Sequence, residues 1–436
     1  MATTKAAEPS IERSLTLTFI GDWGQANFHR ICSWLTQEFC DRAGPRSRVG
    51  IYNIRGGGME ALEQVYSGEA HLSIATPAAL LPAALTGKGL FAPLGPMPSL
   101  RALAALPQRD RMMLAIHPRF GIHSYADLHR VKPALRIATS SDDGTNFIGY
   151  VAMRLLEAHG ITKEVLESWG GSFVLTTRPE QAIENMRVGN ADAVLQEAIM
   201  TPWWRQLMEE HKLVPIPAET DALARLTSEH GWQPASIRAG FWDSEFNKEE
   251  IPALDFSDFM VLVRDDMPDD IAYLLTWCLV EQRAAIEVQY KHMDPERSPL
   301  SYPLEPAKMA KPSIPLHPAA ERGVAHRPVA QLTRHAHGRQ LLVLILQNHL
   351  HEAGAEILIR DGQPHELGAD LVPRAILVYQ HRGLNERDGQ QRRVFNQLRL
   401  RLDQIRVGVG EGGLDKPVDK RRARAAKRAL YVDEDR

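Results

Sequence analysis

The sequence predicts an α/β protein in which two halves of similar plan each form a mostly parallel sheet flanked by helices. The order β-α-β-α-β occurs twice, and this order favours parallel strands with helices packed on them. Short motifs also recur at nearly the same spacing. Asn27-Phe28 is followed 119 residues later by Asn146-Phe147, and Gly68-Glu-Ala is followed 121 residues later by Gly189-Asn-Ala. We therefore interpret the two halves as a duplicated unit.

The first half contains three predicted strands and two predicted helices. The strands show alternating or continuous apolar residues, and the first helix has Phe28, Ile31 and Leu35 on one face. In chain order the elements are the strand Leu15–Phe19, a glycine turn over 21–24, a helix from Phe28 to Phe39, the strand Val49–Ile54, a turn over 55–58, the helix Met59–Tyr66 and the strand Gly68–Ala75.

The second half repeats this series. It comprises the strand Leu135–Ala138, a turn over 139–145, a helix that opens at Asn146-Phe147, the strand Ser172–Thr177, the helix Pro179–Val188 and the strand Gly189–Gln196. The offset of 121 residues places Thr76 and Glu197 after equivalent strands. We expect them to occupy equivalent positions at the mouth of one cleft.

A later strand, Phe256–Arg264, followed by a helix over Pro268–Ile286, suggests that the chain returns to the first half. A chain that enters the second half and comes back makes two connections between them. Two connections predict a hinge, and closure of a hinge around a ligand is a common switching motion.

Composition limits the possible functions. With 436 residues, 44% of them hydrophobic, the chain can form two or three domains, since single cores stop growing at roughly 250–300 residues. A net charge of −3 predicts no nucleic-acid partner. The cysteines Cys32, Cys40 and Cys278 lack metal-ligand spacing and read as buried apolar residues. No apolar run is long enough to span a membrane. We expect a monomer without cofactor or metal.

Parallel sheets bind ligands beyond the carboxyl ends of their strands, where loops and helix N-termini converge. We therefore predict that the loops after the strands of both halves line one cleft. The predicted ligand-binding residues are Gly24, Gln25, Asn27, Phe28, Gly57, Gly58, Met59 and Thr76 in the first half, and Ser140, Ser141, Gly144, Thr145, Asn146 and Glu197 in the second.

Several interpretations of this site stay open. The turn Gly21-Asp-Trp-Gly24 does not fit the G-x-G-x-x-G fingerprint, which argues against a dinucleotide. Backbone N–H groups at the helix starts could hold a small carboxylate, or Asn27 and Asn146 could simply cap their helices. Glu197 is either an exposed loop carboxylate or a ligand contact. Trp203-Trp204 is either a wall of the cleft or core packing.

No catalytic motif is present. G-x-S-x-G, H-E-x-x-H and C-x-x-C are all missing, and the 17 histidines are scattered. The sequence predicts a binding protein and not an enzyme.

The segments "GGGMEALEQVYSGEAHLSIATPA", "IATSSDDGTNF", "GNADAVLQEAIMTPWW", "ALDFSDFMVLVRDDMPDDIAYLL" and "PIPLHPAAER" together resemble the solute-binding proteins of TRAP-associated transporters, the TAXI family. The resemblance covers about residues 15–322. It implies a two-lobed periplasmic-binding-protein-like (type II) fold without catalysis. It also implies that the protein works in the periplasm, where it captures a small carboxylate or amino-acid-like solute in the cleft and delivers it to a TRAP-type membrane permease.

The predicted elements, the composition and the extent of the resemblance together give the expected domains. They are a disordered N-terminus over 1–13, lobe 1 over 14–117 and 240–322, lobe 2 over 118–239, and a poorly ordered C-terminal extension over 323–436 that carries the basic run Lys420–Arg428. No export signal is visible in the sequence as written. The alternative is therefore a cytosolic ligand sensor that uses the same cleft. The acidic residues Asp22, Asp142, Asp143 and Glu197 predict a ligand that is not a dianion.

Overall fold

The computed structural model describes residues 8–22, 26–54, 57–243 and 245–325. The predicted extension beyond residue 325, with its basic run, lies outside the described residues. Within them the strands are β1 Thr16–Asp22, β2 Arg48–Ile54, β3 Leu72–Ala75, β4 Leu100–Leu106, β5 Arg111–Ile116, β6 Arg136–Ser140, β7 Ser172–Thr176, β8 Ala193–Gln196, β9 Val214–Ile216, β10 Pro234–Ile237, β11 Ile251–Asp255 and β12 Phe259–Arg264.

The α-helices surround the sheets. They are α1 Ala26–Cys40, α2 Met59–Ser67, α3 Leu81–Thr86, α4 Tyr125–Val131, α5 Phe147–Ala158, α6 Lys163–Ser168, α7 Pro179–Arg187, α8 Pro202–His211, α9 Thr220–His230, α10 Asp269–Glu281, α11 Arg283–Val288, α12 Pro306–Met309 and α13 Pro318–Ala325.

The strands form two sheets with matching cores. The first has the order β2-β1-β3-β12-β4, and the second has the order β10-β11-β5-β8-β6-β7 with β9 paired to β5. In the first sheet β1 runs parallel to β2 and β3, and β12 runs antiparallel to β3. In the second sheet β6 runs parallel to β7 and β8, and β5 runs antiparallel to β8. The duplicated plan predicted from the motif offsets is thus present in the sheet order.

Each half receives one strand from beyond its own repeat. The chain leaves the first sheet at the end of β4 and enters the second as β5, through residues 107–110. It leaves the second sheet at the end of β11 and returns as β12, through residues 256–258. The two crossings are hydrogen-bonded to each other, since Phe256 N–H donates to the carbonyl of Asp110 at 3.1 Å. We call residues 107–110 and 256–258 the hinge.

Sheet membership places the hinge differently from the expected domain boundaries. Those boundaries, at 117/118 and 239/240, assign β5 and β11 to lobe 1, whereas both strands belong to the second sheet. The reason is pairing: β5 is the antiparallel neighbour of β8, and β11 pairs with β5. Below, lobe 1 is the first sheet with its helices and lobe 2 is the second sheet with its helices.

Two local expectations also change. Residues 8–13, expected to be disordered, are ordered in part, because Ile11 is buried and its N–H donates to the carbonyl of Arg42 at 2.8 Å. The single helix expected over 268–286 is two helices, α10 and α11. Gln282 adopts φ −95° and ψ 6° between them, which ends the regular α-helical geometry.

The central strands of both halves are buried along their whole length. All four residues of β3 and all four of β8 are inaccessible, as expected for parallel strands covered by helices on both faces. One apolar cluster extends from lobe 1 into lobe 2. It includes Met59 and Phe91 on one side and Phe147 and Val151 on the other. The lobes therefore share part of one hydrophobic core.

Candidate functional site

The predicted loops of the two lobes meet directly. Gly58 of lobe 1 and Asn146 of lobe 2 form an isolated antiparallel bridge. Phe147 N–H donates to the carbonyl of Gly57 at 2.8 Å, and Met59 N–H donates to the carbonyl of Thr145 at 3.3 Å. The structure thus brings together Gly57, Gly58 and Met59 with Thr145 and Asn146.

Asp143 and Asn146 build the lobe 2 loop at the start of α5. The Asp143 carboxylate accepts from Thr145 N–H at 3.0 Å, from Thr145 Oγ1 at 2.7 Å and from Asn146 N–H at 3.2 Å. The Asn146 side chain caps α5 by accepting from the N–H groups of Ile148 and Gly149. Gly144, at φ +83°, supplies the left-handed residue of this turn. Hydrogen bonds from its own side chains therefore hold the conformation of this loop.

Ser140 and Ser141 lie at the end of β6. Ser140 is fully buried and accepts from Gln196 Nε2 at 2.9 Å, and Ser141 donates to the carbonyl of Thr176 at 3.2 Å. Both hydroxyls hold neighbouring strand ends together, and Ser141 remains partly accessible.

Thr76 lies against the hinge. Its hydroxyl donates to the carbonyl of Asp258 at 3.0 Å and accepts from Gln108 Nε2 at 3.3 Å. The same Gln108 amide donates to the carbonyl of Phe256 at 3.0 Å, and the Asp258 carboxylate accepts from Gln108 N–H at 3.2 Å. Gln108 thus joins the two crossing segments and the end of β3.

Glu197 is buried beneath the cleft, where it pairs with Asp110. The Asp110 carboxylate also accepts from three backbone N–H groups, those of Arg111, Ala198 and Ile199, at 2.7, 2.8 and 3.1 Å. Burial raises the pKa of both groups, and the neighbouring Asp110 carboxylate raises the pKa of Glu197 further, well above its ordinary value. Because Glu197 is buried against Asp110, it is not the exposed loop carboxylate considered above.

Asn27 and Phe28 differ from their counterparts in the second half. Asn27 lies in the first turn of α1. Its side chain accepts from the Tyr290 hydroxyl and donates to the carbonyl of Pro299 at 3.0 Å. Phe28 is buried against Phe259, with ring centroids 5.0 Å apart, in the core of lobe 1. The two motifs therefore have different roles: Asn146 lies at the contact between the lobes, whereas Asn27 and Phe28 contact other residues of lobe 1. Gly24 and Gln25 lie outside the described residues.

The acidic residues expected to disfavour a dianion are largely committed elsewhere. Asp142 forms an ion pair with Arg154 at 3.1 Å, Asp143 accepts hydrogen bonds from its own loop, and Glu197 is buried against Asp110, which raises its pKa. The side chain of Asp22 lies outside the described residues. Ion pairing of Asp142 and burial of Glu197 reduce the negative charge that these two side chains add to the cleft, whereas the hydrogen bonds to Asp143 come from neutral groups and do not balance its charge.

The tryptophan pair has a divided role. Trp204 is fully buried, stacks on Trp242 at 6.2 Å and donates from Nε1 to the carbonyl of Glu197 at 2.6 Å. Trp203 is 42% exposed and lines an outer cavity of about 420 Å³ between α7 and α8. Trp204 thus supports the turn that holds Glu197, as the core-packing interpretation expects.

Gln108, Asp110 and Asp258 are not among the site residues predicted from the sequence. The sequence contains a signal for two of these residues, because the polar segment Gln108-Arg-Asp110 separates the two largely apolar runs that form β4 and β5. A short polar segment between two buried strands indicates polar groups enclosed at a crossing.

Among the described residues, no group of three or more His, Cys, Asp and Glu side chains is placed to hold a metal ion. Over the same residues, the helices are too short or too polar to cross a membrane.

The sheet order, the double crossing and the facing loops define a two-lobed fold of the periplasmic-binding-protein type. The family model described as "NMT1-like family" matches residues 43–323. This is more than half of the chain, so the chain belongs to the NMT1-like family. A search of curated proteins gave no match.

Solved structures that align with the chain include both transport and regulatory proteins. A protein described as a periplasmic transporter aligns at 15% identity and TM-score 0.38, over 65% of this chain and 84% of that one. A periplasmic binding protein of an ABC transporter from Brucella ovis, with glutathione bound, aligns at 12% and 0.34, over 63% and 70%. The effector-binding domain of BenM with benzoate aligns at 14% and 0.33, over 65% and 94%. Similarity at this level does not determine a ligand or a partner.

Proposed function

We propose that this chain is a solute-binding protein that captures a small polar organic solute, a carboxylate or an amino-acid-like molecule, in the cleft between its lobes. The observation that carries this proposal is the direct contact between strand-end loops of the two lobes, together with the two-segment hinge that joins them. Membership of the NMT1-like family and the missing catalytic motif support it. In this proposal the protein works in the periplasm and delivers its solute to a TRAP-type permease.

The chemistry of the cleft suits a small polar ligand. Thr145 and Ser141 carry hydroxyls in the loop after β6, and the Gly57-Gly58 turn of lobe 1 contacts this loop, while Thr76 lies at the end of β3 against the hinge. Because Asp142 is paired with Arg154 and Glu197 is buried, while Asp143 is exposed in the loop, the proposed ligand is a monocarboxylate with a second polar group and not a dianion. Hydroxyl and amide donors are the groups that commonly fix the orientation of such ligands.

A thermal-shift screen against organic acids, amino acids and amines tests the proposal. A ligand that binds only the folded state raises the melting temperature, and at 100 times its dissociation constant it adds about 2.7 kcal/mol of stability. For a hit, we expect Thr145→Ala and Ser141→Ala to weaken binding by about tenfold in calorimetry, the effect of losing one net hydrogen bond.

Thr220→Ala is the matched control, since Thr220 is exposed at the start of α9. It should leave the affinity unchanged. Unchanged affinity in both cleft variants would place the ligand elsewhere. If gene deletion does not reduce uptake of the hit and the protein fractionates with the cytosol, the chain is a sensor and not a transport protein.

A further inference from the structure

A contact made only by backbone atoms closes the cleft on one side. Phe147 N–H donates to the carbonyl of Gly57, Met59 N–H donates to the carbonyl of Thr145, and Gly58 bridges Asn146. We call this contact, formed by residues 57–59 and 145–147, the glycine latch. Because it uses no side-chain donor or acceptor across the lobes, its formation depends on how closely the two backbones approach.

Glycine is required at both positions of the turn. Gly57 has φ +79° and Gly58 has φ +111°, conformations that other residues rarely adopt. A Cβ atom on Gly57 would lie 2.7 Å from Cα of Asn146, and one on Gly58 would lie 2.4 Å from Cδ2 of Phe147. Any side chain there would push the lobes apart, whatever its chemistry.

The latch also completes the N-terminus of α5. The side chain of Asn146 satisfies the N–H groups of Ile148 and Gly149, and Asp143 satisfies that of Asn146 itself. The remaining N–H at this helix start, that of Phe147, is satisfied by the carbonyl of Gly57 from the other lobe. Closing the lobes therefore supplies the acceptor that lobe 2 does not provide.

Apolar contacts next to the latch act in the same direction. The ring of Phe147 is 99% buried and meets Phe91 of lobe 1 edge to face at a centroid distance of 5.8 Å. One turn further along α5, Tyr150 is buried against the segment that contains Gly89, where a Cβ would lie 2.8 Å from the Tyr150 hydroxyl. Closure thus removes two aromatic side chains from water.

We propose that the glycine latch holds the two lobes closed by contacts within the protein, so that opening of the latch controls access to the cleft. The proposal rests on the proposed function only in taking the cleft as the route of the ligand. Ordinary ligand-driven closure would leave the lobes open until a solute bridges them. Here the protein supplies the bridging contacts itself, and a solute enters when they break.

Gly57→Ala tests this with Gly189→Ala as a matched control. Gly189 has the same φ of +79°, but a Cβ added there would have no atom within 4 Å, so the two variants share the backbone strain and differ in the interlobe clash. Spin labels at Ser67→Cys on α2 and Ser168→Cys on α6 report the distance between lobes. Both positions are exposed; Cys40→Ser removes the partly accessible thiol, and Cys32 and Cys278 are fully buried.

Without added solute, we expect the wild type and Gly189→Ala to give one short interlobe distance. Gly57→Ala should raise the population of longer distances by about tenfold or more, the change expected from losing one to two backbone hydrogen bonds. Equal distance distributions in the two glycine variants would overturn the proposal.

Hydrogen exchange of the unmodified protein provides a second test that does not depend on a variant folding. The proposal requires the N–H of Phe147 to be protected in the absence of solute, as the locally capped N–H groups of Ile148 and Gly149 are. Exchange of Phe147 at the rate of an exposed amide would refute the latch. Neither measurement uses a ligand, so failure here is distinguishable from failure of the proposed function.

Discussion

Asp258 shows how burial at the hinge changes the chemistry of a single residue. It has φ +66°, its carboxylate accepts from Gln108 N–H, and its carbonyl accepts from Thr76. Burial raises its pKa to about 6; nearby Asp255 adds to this effect, while Gln108 N–H and Arg111 oppose it. In the unfolded chain the same group titrates near 3.9.

The sign of the resulting pH effect follows from proton binding. Between the unfolded and the folded pKa, the folded state holds the proton and the unfolded state does not, so stability falls as pH rises through this window. The contribution of Asp258 is fully present below about pH 4 and is lost above about pH 6. The loss amounts to about 2–3 kcal/mol at most.

We expect Asp258→Asn to remove this loss. Asparagine stays neutral, tolerates positive φ and can still accept from Gln108 N–H. The variant should melt above the wild type at pH 8 and converge with it at pH 4, by differential scanning fluorimetry across this range. Asp266→Asn, at an exposed position, is the control and should show no such trend. A variant that melts below the wild type at pH 8 would show that the carboxylate is favourable at the hinge.

At the scale of elements, α5 links a local capping signal to the interlobe contact. The asparagine before an apolar helical face was readable from the sequence as a cap, and Asn146 does cap this helix. Asn27 precedes a similar face, yet its side chain binds Tyr290 and Pro299 from distant segments. Identical local motifs thus acquired different roles through partners far away in the chain.

Asn146→Ala should destabilise the protein by about 1–2 kcal/mol, because two N–H groups at the start of α5 lose their acceptor. Ser124→Ala, which removes the cap of α4, is a matched control with a similar cost. Both should lower the melting temperature, but only Asn146→Ala should also change the interlobe distance measured between the labels on α2 and α6. If neither variant alters that distance, the cap and the closure of the lobes are independent.

On the scale of the whole molecule, a charged contact also links the lobes. Glu296, in the segment that follows α11 on lobe 1, pairs with Arg238 of lobe 2 and with Arg109 of the hinge, the latter at 3.3 Å. Arg297 donates to the carbonyl of Gly240 at 3.3 Å beside them. All three charged groups of the Glu296 pairs are about half exposed, so each pair contributes about 0–1 kcal/mol and is weakened by salt.

We expect Glu296→Gln to shift the interlobe distance slightly toward open at low salt and to make it insensitive to added salt. The wild type should open by a similar small amount as ionic strength rises from about 0.01 to 1 M, because screening weakens the exposed pairs. Glu305→Gln, which removes a local pair with Lys308, should behave as the wild type. If the interlobe distance of Glu296→Gln still changes with salt, other charged groups cause the salt response.

Much of the fold was determined by the sequence itself. Apolar periodicity and the repeated offset predicted seven of the twelve described strands (β1–β3, β6–β8 and β12) and the helices α1, α2, α5, α7 and α10, and placed Thr76 and Glu197 after equivalent strands, because these features depend on local pattern and chain order. The loops around Gly57 and Thr145 were predicted to converge because each follows the carboxyl end of a strand and the two halves were expected to face one another across one cleft.

Only the tertiary structure decided what those residues contact. Asp110 and Glu197 both have raised pKa values because the fold buries together two carboxyl groups that are distant in sequence, and a single sequence does not show such a pairing. Likewise, Gly57 and Gly58 read as an ordinary turn. Their role depends on the approach of Asn146 and Phe147 from the other lobe, which is set by the geometry of the two crossings and not by any local pattern.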